Sequence, residues 1–397
     1  MFMNNSLKIF IFAYWHDYRW KKFVGASVKI WDLAKNLQSY GNEVTLFLPK
    51  YKFDTSDIEF KVIEVPFIDF PVVRNISFNI ALLYILITKF FSKKGDILYV
   101  RRMTSIIPLI YAKIFNIAFF YEINDDPYNL LYNHGFEVKF KAKALLSTKI
   151  DELNLKLCDM AFIISSNLLD RITKKNPKIK TKKLVVTPSG TNTQLFYPRN
   201  KLECRFFLNL DLKSKYIGFV GSLLKHQGVN KLIQAAPKIL NSSSDCKFII
   251  IGEGPMKEKW ITMVQHQGLT SSFLFTGQIK YEDVAIWLGA MDICVAPFLK
   301  EAGLRSPVKL FDYMACGKPV VASKIPGSTC MFEDSGAVKL IKPEEPEILA
   351  DAIIDLIADD KKAQNMGERG LKIAAEKYDR KLIAQKISEL ARRILKN

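Results

Sequence analysis

The six cysteines of this chain, Cys158, Cys204, Cys246, Cys294, Cys316 and Cys330, lie far apart with no close pair. That spacing excludes a zinc ligand set and a dithiol redox motif, and it fits a reducing compartment. Long hydrophobic runs are missing too: the longest apolar stretches, 80–87 and 106–120, are too short or are broken by Lys113, whereas a spanning helix needs about 20 apolar residues. The opening MFMNNSLKIFIFAYWHDYRWKK holds only a brief apolar run at 7–14, interrupted by Lys8 and without a small-residue cleavage site. It reads as a first β-strand, not as a secretory signal. No helix-turn-helix, zinc or RNA-binding sheet signature accompanies the basic charge, so nucleic acid is not an expected partner.

What is present is the profile of a packed globular protein: 397 residues, 49% hydrophobic and 25% charged. That length exceeds one ordinary core and suits two domains. The formal net charge of +18 favours anionic partners, whether phosphorylated substrates or lipid head groups. The run KKNPKIKTKK at 174–183 suits such a partner or a solvated loop. The stretches 80–87 and 106–120, beside Lys89, Lys93, Lys94, Arg101 and Arg102, read either as core helices or as helices lying on an anionic bilayer.

Along the chain, a strand at 7–12 leads through an aromatic and basic loop to Gly25, then to a helix at 28–37 with Ser27 as its N-cap, Gly41 as its end and a strand at 43–48. Short links between strand, helix and strand are the pattern of a parallel sheet with right-handed crossovers. Further strands are expected at 62–65, 97–101, 118–123, 160–165 and 184–187. The pattern restarts with a strand at 216–220, a helix at 229–240, a strand at 248–251, a helix at 256–267, and strands at 273–275, 293–296 and 319–322. The turn-rich segment 188–198, PSGTNTQLFYP, marks the link between two α/β domains. Open α/β sheets bind ligands at the carboxyl ends of their strands, so chemistry is sought in the strand-to-helix loops.

The strongest such loop lies in PFLKEAGLRSPVKLFDYMACGKPVV, 297–321. Ser306 is the expected N-cap and Pro307 the first helical residue, where the missing N–H costs nothing. The free N–H groups of that helix start, with Arg305 and Lys309 beside them, suit a pyrophosphate. Ser306, Lys309 and Asp312 share a face, and a carboxylate at 312 suits the two hydroxyls of a ribose. A buried amphipathic helix with a solvated Lys–Asp pair is the plainer reading. The loop GSLLKHQG, 221–228, and the turn Gly252-Glu253-Gly254-Pro255 are weaker phosphate candidates, since glycine-bracketed turns also serve tight packing.

As an ordered set, KIFIFA, Gly25, LAKNLQSYGNEVTLFLP, PSGTNTQLFYP, GFVGSLLKHQGVNKLIQAAPKI, FIIIGEGP, FLFTGQI, MDICVAPF and KLFDYMACGKPVVAS resemble the retaining glycosyltransferases of family 4, also called group 1, over most of the chain. The resemblance implies a GT-B fold, two Rossmann-like domains facing across a cleft: an acceptor-side domain at 1–198, a nucleotide-sugar domain at 199–379, and a last helix, 380–397, packing back on the first. It implies a nucleoside diphosphate sugar as co-substrate, anomeric retention, and neither cofactor nor metal. The implied donor-binding set is Gly221, Ser222, Lys225, Glu253, Gly277, Ile279, Arg305, Ser306, Val308, Lys309 and Asp312. Asp312 matches the second glutamate of the family's paired-glutamate motif. Leu304 stands where the first is expected, with Glu301 the nearest substitute, and Ser222 and Gln227 replace the usual basic pair of the glycine loop.

On the first domain, Asn124 and Asp125 follow the strand ending at Ile123 and are candidate catalytic groups together with Glu301, with Glu122 as an alternative base. Loop capping competes for these Asx residues. Gly25 and His16 stand for the acceptor side, His16 within a loop, YWHDYRWKKF, whose aromatic faces suit sugar rings. The expected activity is glycosyl transfer to a sugar or lipid-linked acceptor in surface polysaccharide or glycolipid synthesis. The expected place is the cytoplasm, at the inner face of the membrane. The competing readings are a catalytically inactive nucleotide-sugar-binding or scaffold subunit and a nucleotide-sugar epimerase.

Overall fold

The computed structural model describes residues 6–14, 25–50, 59–70, 73–91, 95–127, 138–302 and 306–396. The chain forms two compact units, Met1–Pro188 with Arg380–Asn397, and Ser189–Asp379.

In the first unit seven strands make one parallel sheet in the order β3-β2-β1-β4-β5-β6-β7. They are β1 Lys8–Phe12, β2 Glu43–Pro49, β3 Lys61–Val65, β4 Ile97–Arg101, β5 Ala118–Ile123, β6 Met160–Ile163 and β7 Leu184–Val186. The alternation in β1 separates two layers, as a period of two requires. Ile9 and Ile11 join a core with Ile30, Leu33, Ala34 and Leu37 of α1, Gly25–Ser39, and with Ala384, Ile387 and Ala391 of the last helix, Arg380–Lys396. Phe10 points the other way and makes edge contacts with Phe47 and Phe90, beneath α2, Arg74–Lys89. Helix α3, Ile107–Phe115, ends at Asn116 in the left-handed conformation, and α4, Val138–Leu157, and α5, Ser166–Lys175, complete the layers. Arg380 is ion-paired with Asp32, and Asn42 donates to the Ser388 hydroxyl at 3.2 Å, which holds the last helix on α1.

Within the Lys-rich run, Lys183 donates to the carbonyls of Lys156 and Cys158 at 2.9 and 3.0 Å. A cation there satisfies open carbonyls at the C-terminal end of α4. The expected helix at 28–37 is longer than its apolar stripe, running from Gly25, so Ser27 lies inside it and does not precede it.

The second unit has six parallel strands in the order β10-β9-β8-β11-β12-β13. They are β8 Lys215–Val220, β9 Cys246–Ile251, β10 Phe273–Gly277, β11 Ile293–Ala296, β12 Val320–Ser323 and β13 Val338–Ile341. Around them pack α6 Lys201–Phe207, α7 Val229–Ser242, α8 Lys257–His266, α9 Val284–Ala290, α10 Val308–Ala315, α11 Pro346–Ala358 and α12 Asp360–Lys377. Strand β13 has no counterpart among the sequence expectations: Lys339 interrupts its run, VKLI, whereas the equally short β11, ICVA, is unbroken.

The second unit begins at Ser189, so the expected division after 198 falls inside it. The reason is local bonding. Thr191 is fully buried, its N–H donates to the Tyr378 carbonyl at 2.8 Å, and Phe196 packs into the second unit's core. In each sheet the strand order reverses beside the first strand, between β1 and β4 and between β8 and β11. That is the switch point outside which open α/β sheets take ligands.

Candidate functional site

At the switch point of the second unit, three loops interlock through their backbones. Gly221 N–H donates to Ile251 O and Gly252 N–H to Gly277 O, both at 2.9 Å, and Leu223 N–H to Glu253 O at 2.8 Å. The packing leaves no room for side chains: a Cβ on Gly252 would lie 1.9 Å from Gly221 O, and φ is +137° there. Only glycine tolerates both conditions. At Gly221, φ +145°, a Cβ would lie 2.8 Å from the Lys309 ammonium, so the bare backbone lets that group come close.

Lys309 on α10 is the centre of the site. Its Nζ donates to Gln227 Oε1 at 2.6 Å and sits 3.6 Å from the centroid of the Phe219 ring and 5.3 Å from that of Phe298. Burial pushes its pKa well below that of a free lysine. Among the described residues no carboxylate pairs with it. A cation held between two aromatic rings and one amide oxygen is stabilised in part, but it lacks the counter-charge that a buried ion ordinarily requires. Tyr313 fixes the helix that carries it, its phenol oxygen accepting the Val220 N–H at 2.8 Å.

The helix start differs from the sequence expectation. Val308, not Pro307, is the first helical residue, and Ser306 makes no cap. Pro307, at φ −80° and ψ 61°, is the centre of an inverse γ-turn closed by Val308 N–H donating to Ser306 O at 2.9 Å. Its locked ring suits that turn, and the turn removes Ser306 from the cap position. The Ser306 hydroxyl oxygen is shut off from solvent and has no hydrogen-bond partner among the described residues.

The remaining expected donor residues divide. Asp312 shares α10 with Lys309, but its Oδ1 accepts the Thr191 hydroxyl at 2.6 Å, which commits that oxygen to the start of the unit. Glu253 pairs with Lys257 at 2.6 Å, and its carboxylate lies beside Gly277. Ile279 is half-buried against the core, Val308 is half-buried and Ser222 is exposed. Lys225 and Glu301 face each other at 3.8 Å, each at least half exposed. Arg305, Leu304 and His16 lie outside the described residues. Gly25 is the first residue of α1.

A second polar cluster lies near the switch point of the first unit. Glu122, 2% exposed, accepts from the Lys29 ammonium at 2.5 Å and from the Tyr99 hydroxyl at 2.9 Å. Asn124 belongs to it: with its amide oriented by its neighbours, nitrogen toward Glu122 and oxygen toward Arg101, it donates to Glu122 Oε1 and accepts from Arg101 Nε at 2.6 Å. Burial raises the Glu122 pKa, but the charges of Lys29 and Arg101 and the bonds from Lys29 and Tyr99 outweigh it and hold the carboxyl below its ordinary value. Glu122 is therefore an ionised anchor at neutral pH and a poor proton acceptor. Asp125 is not part of the cluster; its Oδ1 accepts the Asp126 N–H at 2.9 Å, closing its own loop. Asp126 in turn pairs with Arg171 at 3.0 Å.

Sequence reasoning missed Gln227 as the partner of Lys309, and Lys29, Tyr99 and Arg101 as the partners of Glu122. No local signal points to either set, since the first pair is separated by 82 residues and Lys29 and Glu122 by 93.

Against known proteins, the glycine loops and α10 fall within the stretch that matches a family model. Residues 200–373 match the family Glycosyl transferases group 1. Alpha-D-kanosaminyltransferase of Streptomyces kanamyceticus is 24% identical over 176 residues, 44% of this chain and 45% of that protein. The chain therefore spans about half the length of this curated relative. Two solved structures are similar over nearly the whole chain. Sucrose-phosphate synthase from Thermosynechococcus elongatus aligns with TM-score 0.77 at 18% identity, covering 97% of this chain and 98% of that one. HepE of Anabaena in complex with UDP aligns with TM-score 0.75 at 17% identity, covering 97% and 99%. The two-unit α/β architecture is thus the GT-B fold.

Proposed function

We propose that the chain is a retaining glycosyltransferase that moves a sugar from a nucleoside diphosphate sugar to an acceptor hydroxyl. The observation that carries the reading is Lys309, a half-buried ammonium that no carboxylate pairs with among the described residues, beside a glycine-lined strand end and the Ser306 hydroxyl. A pyrophosphate supplies the missing negative charge, and the exposed backbone of the glycine loops admits it closely. The group 1 family match over this same unit supports the assignment, as does the binding of UDP by HepE.

In the proposed reaction the bond between the anomeric carbon and the β-phosphate oxygen breaks. The acceptor oxygen bonds to that carbon from the same face, and the acceptor proton leaves with the departing phosphate. Lys309 stabilises the charge that develops on the leaving pyrophosphate, an electrostatic role that needs no divalent ion and no cofactor. Asp312, on the same helix, is the proposed contact for ribose. The first unit carries the acceptor side, and a sugar or lipid-linked acceptor at the inner face of a membrane completes the reading.

Thermal melting of the full chain with UDP-, GDP-, ADP- and dTDP-sugars tests this, because a ligand that binds only the folded state raises the melting temperature. One nucleotide is expected to stabilise wild type and to lose its effect in Lys309→Met. No response to any of the four refutes the reading.

A further inference from the structure

Helix α2 is apolar on both sides. Phe78, Leu82, Ile85 and Leu86 are buried, while Ile76, Ile80, Leu83, Tyr84 and Ile87 stand outward at the spacing of a single helical face. Tyr84 is 66% exposed and Ile80 64%, so most of each residue faces water. The strip continues through Phe91, which meets Phe115 of α3 edge-on at 5.2 Å, onto Ile106, Ile110 and Ile114. Exposed apolar residues scattered singly mean nothing, but a strip across two adjacent helices has a partner.

The charge around the strip chooses that partner. From Phe70 to Tyr121 the sequence carries Arg74, Lys89, Lys93, Lys94, Arg101, Arg102 and Lys113 against one acid, Asp96, which accepts the Lys8 N–H at 2.7 Å. Lys89 is exposed on the last turn of α2, and Lys113 is exposed on α3 with Asp159 3.8 Å away. Asp69, at the far end of α2, is occupied by Arg74.

We infer that the outer face of α2 and α3 docks on an anionic bilayer, with Ile80, Tyr84, Ile87 and Ile114 entering the interface and Lys89 and Lys113 at the head groups. A helix with one apolar face outward and cations at its end lies in the interface plane, held by apolar burial and by attraction to acidic lipid. This deepens the membrane placement proposed above by naming the surface and the lipid class, and it stands independently of the donor chemistry.

The test is co-sedimentation of the full chain with vesicles of phosphatidylglycerol and phosphatidylcholine, against vesicles of phosphatidylcholine alone. Wild type is expected to bind the anionic vesicles at least tenfold more tightly, and to be released in part by 0.5 M salt because cations at the surface are screened. Ile80→Gln/Tyr84→Gln/Ile87→Gln is expected to bind at least tenfold more weakly while keeping the wild-type melting temperature and nucleotide response. Lys89→Ala is the milder second variant and is expected to weaken anionic binding alone. Equal binding by wild type and the triple variant overturns the inference, and so does the absence of vesicle binding. A wild-type dimer that the triple variant converts to monomer in sedimentation velocity also overturns it, since a second copy would then cover this face. Loss of nucleotide response with vesicle binding intact counts against the proposed function and leaves this inference standing.

Discussion

Replacing Lys309 by methionine separates stability from function in a way that only a ligand-bearing cation does. The ammonium sits between Phe219 and Phe298 and donates to Gln227, yet burial holds its pKa well below that of a free lysine. The site without ligand therefore disfavours the charge. Methionine fills a similar volume without it, and neutral replacements of buried ions are often neutral or stabilising by about 1–4 kcal/mol. Lys309→Met is thus expected to melt at or above the wild-type temperature. Donor affinity moves the other way. A charge-assisted bond to phosphate contributes about 1.5–3 kcal/mol, so its loss weakens binding roughly tenfold to a hundredfold.

With ligand at a hundred times the wild-type dissociation constant, linkage stabilises wild type by about 2.7 kcal/mol. For a unit in the size class of 150–250 residues, at about 2–4 °C per kcal/mol, that is a shift of roughly 5–10 °C. A hundredfold weaker variant keeps only about 0.4 kcal/mol, a shift of roughly 1–2 °C. Differential scanning fluorimetry reads both effects in one experiment. A variant that melts several degrees below wild type, or that keeps the full ligand shift, refutes the reasoning.

Binding of a nucleotide diphosphate is expected to take up a proton above the lowered Lys309 pKa, so affinity falls as pH rises through that value. Calorimetry in buffers of different ionisation enthalpy is expected to show the uptake in wild type and not in Lys309→Met. Before ligand is added the same group makes stability rise with pH between its lowered folded pKa and the free value, because the unfolded chain holds more protons there. Gly252→Ala forces a Cβ to 1.9 Å from Gly221 O at φ +137°, and is expected to cost about 2–6 kcal/mol in chemical denaturation. Glu122→Gln leaves Lys29 and Arg101 without their carboxylate and is expected to cost about 3–5 kcal/mol near neutral pH. Since the Glu122 pKa is lowered on folding, its contribution is complete above the unfolded value and is lost as pH falls through the folded one. The gap between wild type and variant is expected to close in acid.

The strands were legible because their apolar runs are short, bounded by turns and repeated in step with helices. Expected strands at 97–101, 118–123 and 293–296 coincide with β4, β5 and β11. Positions of special backbone geometry were only half legible. Gly221 and Gly252 announce themselves as glycines, but Pro307 reads equally as a first helical residue and as the centre of a γ-turn, and the structure takes the turn.

Pairings across the sheet were hidden for a different reason. Lys29 meets Glu122, Gln227 meets Lys309 and Thr191 meets Asp312 only because the fold brings helices, strands and loops far apart in sequence side by side. The amphipathic logic of α2 was ambiguous for a third reason, since a helix apolar on both faces has no polar side to orient it.

A crystal structure of the full chain soaked with the nucleoside diphosphate sugar that stabilises it tests the central claim most directly. The pyrophosphate is expected within hydrogen-bond distance of Lys309 Nζ and the Ser306 hydroxyl, against the backbone of Gly221, with Gln227 the displaced or shared partner. A nucleotide bound elsewhere, with Lys309 still held only by Gln227 between its two rings, would contradict it.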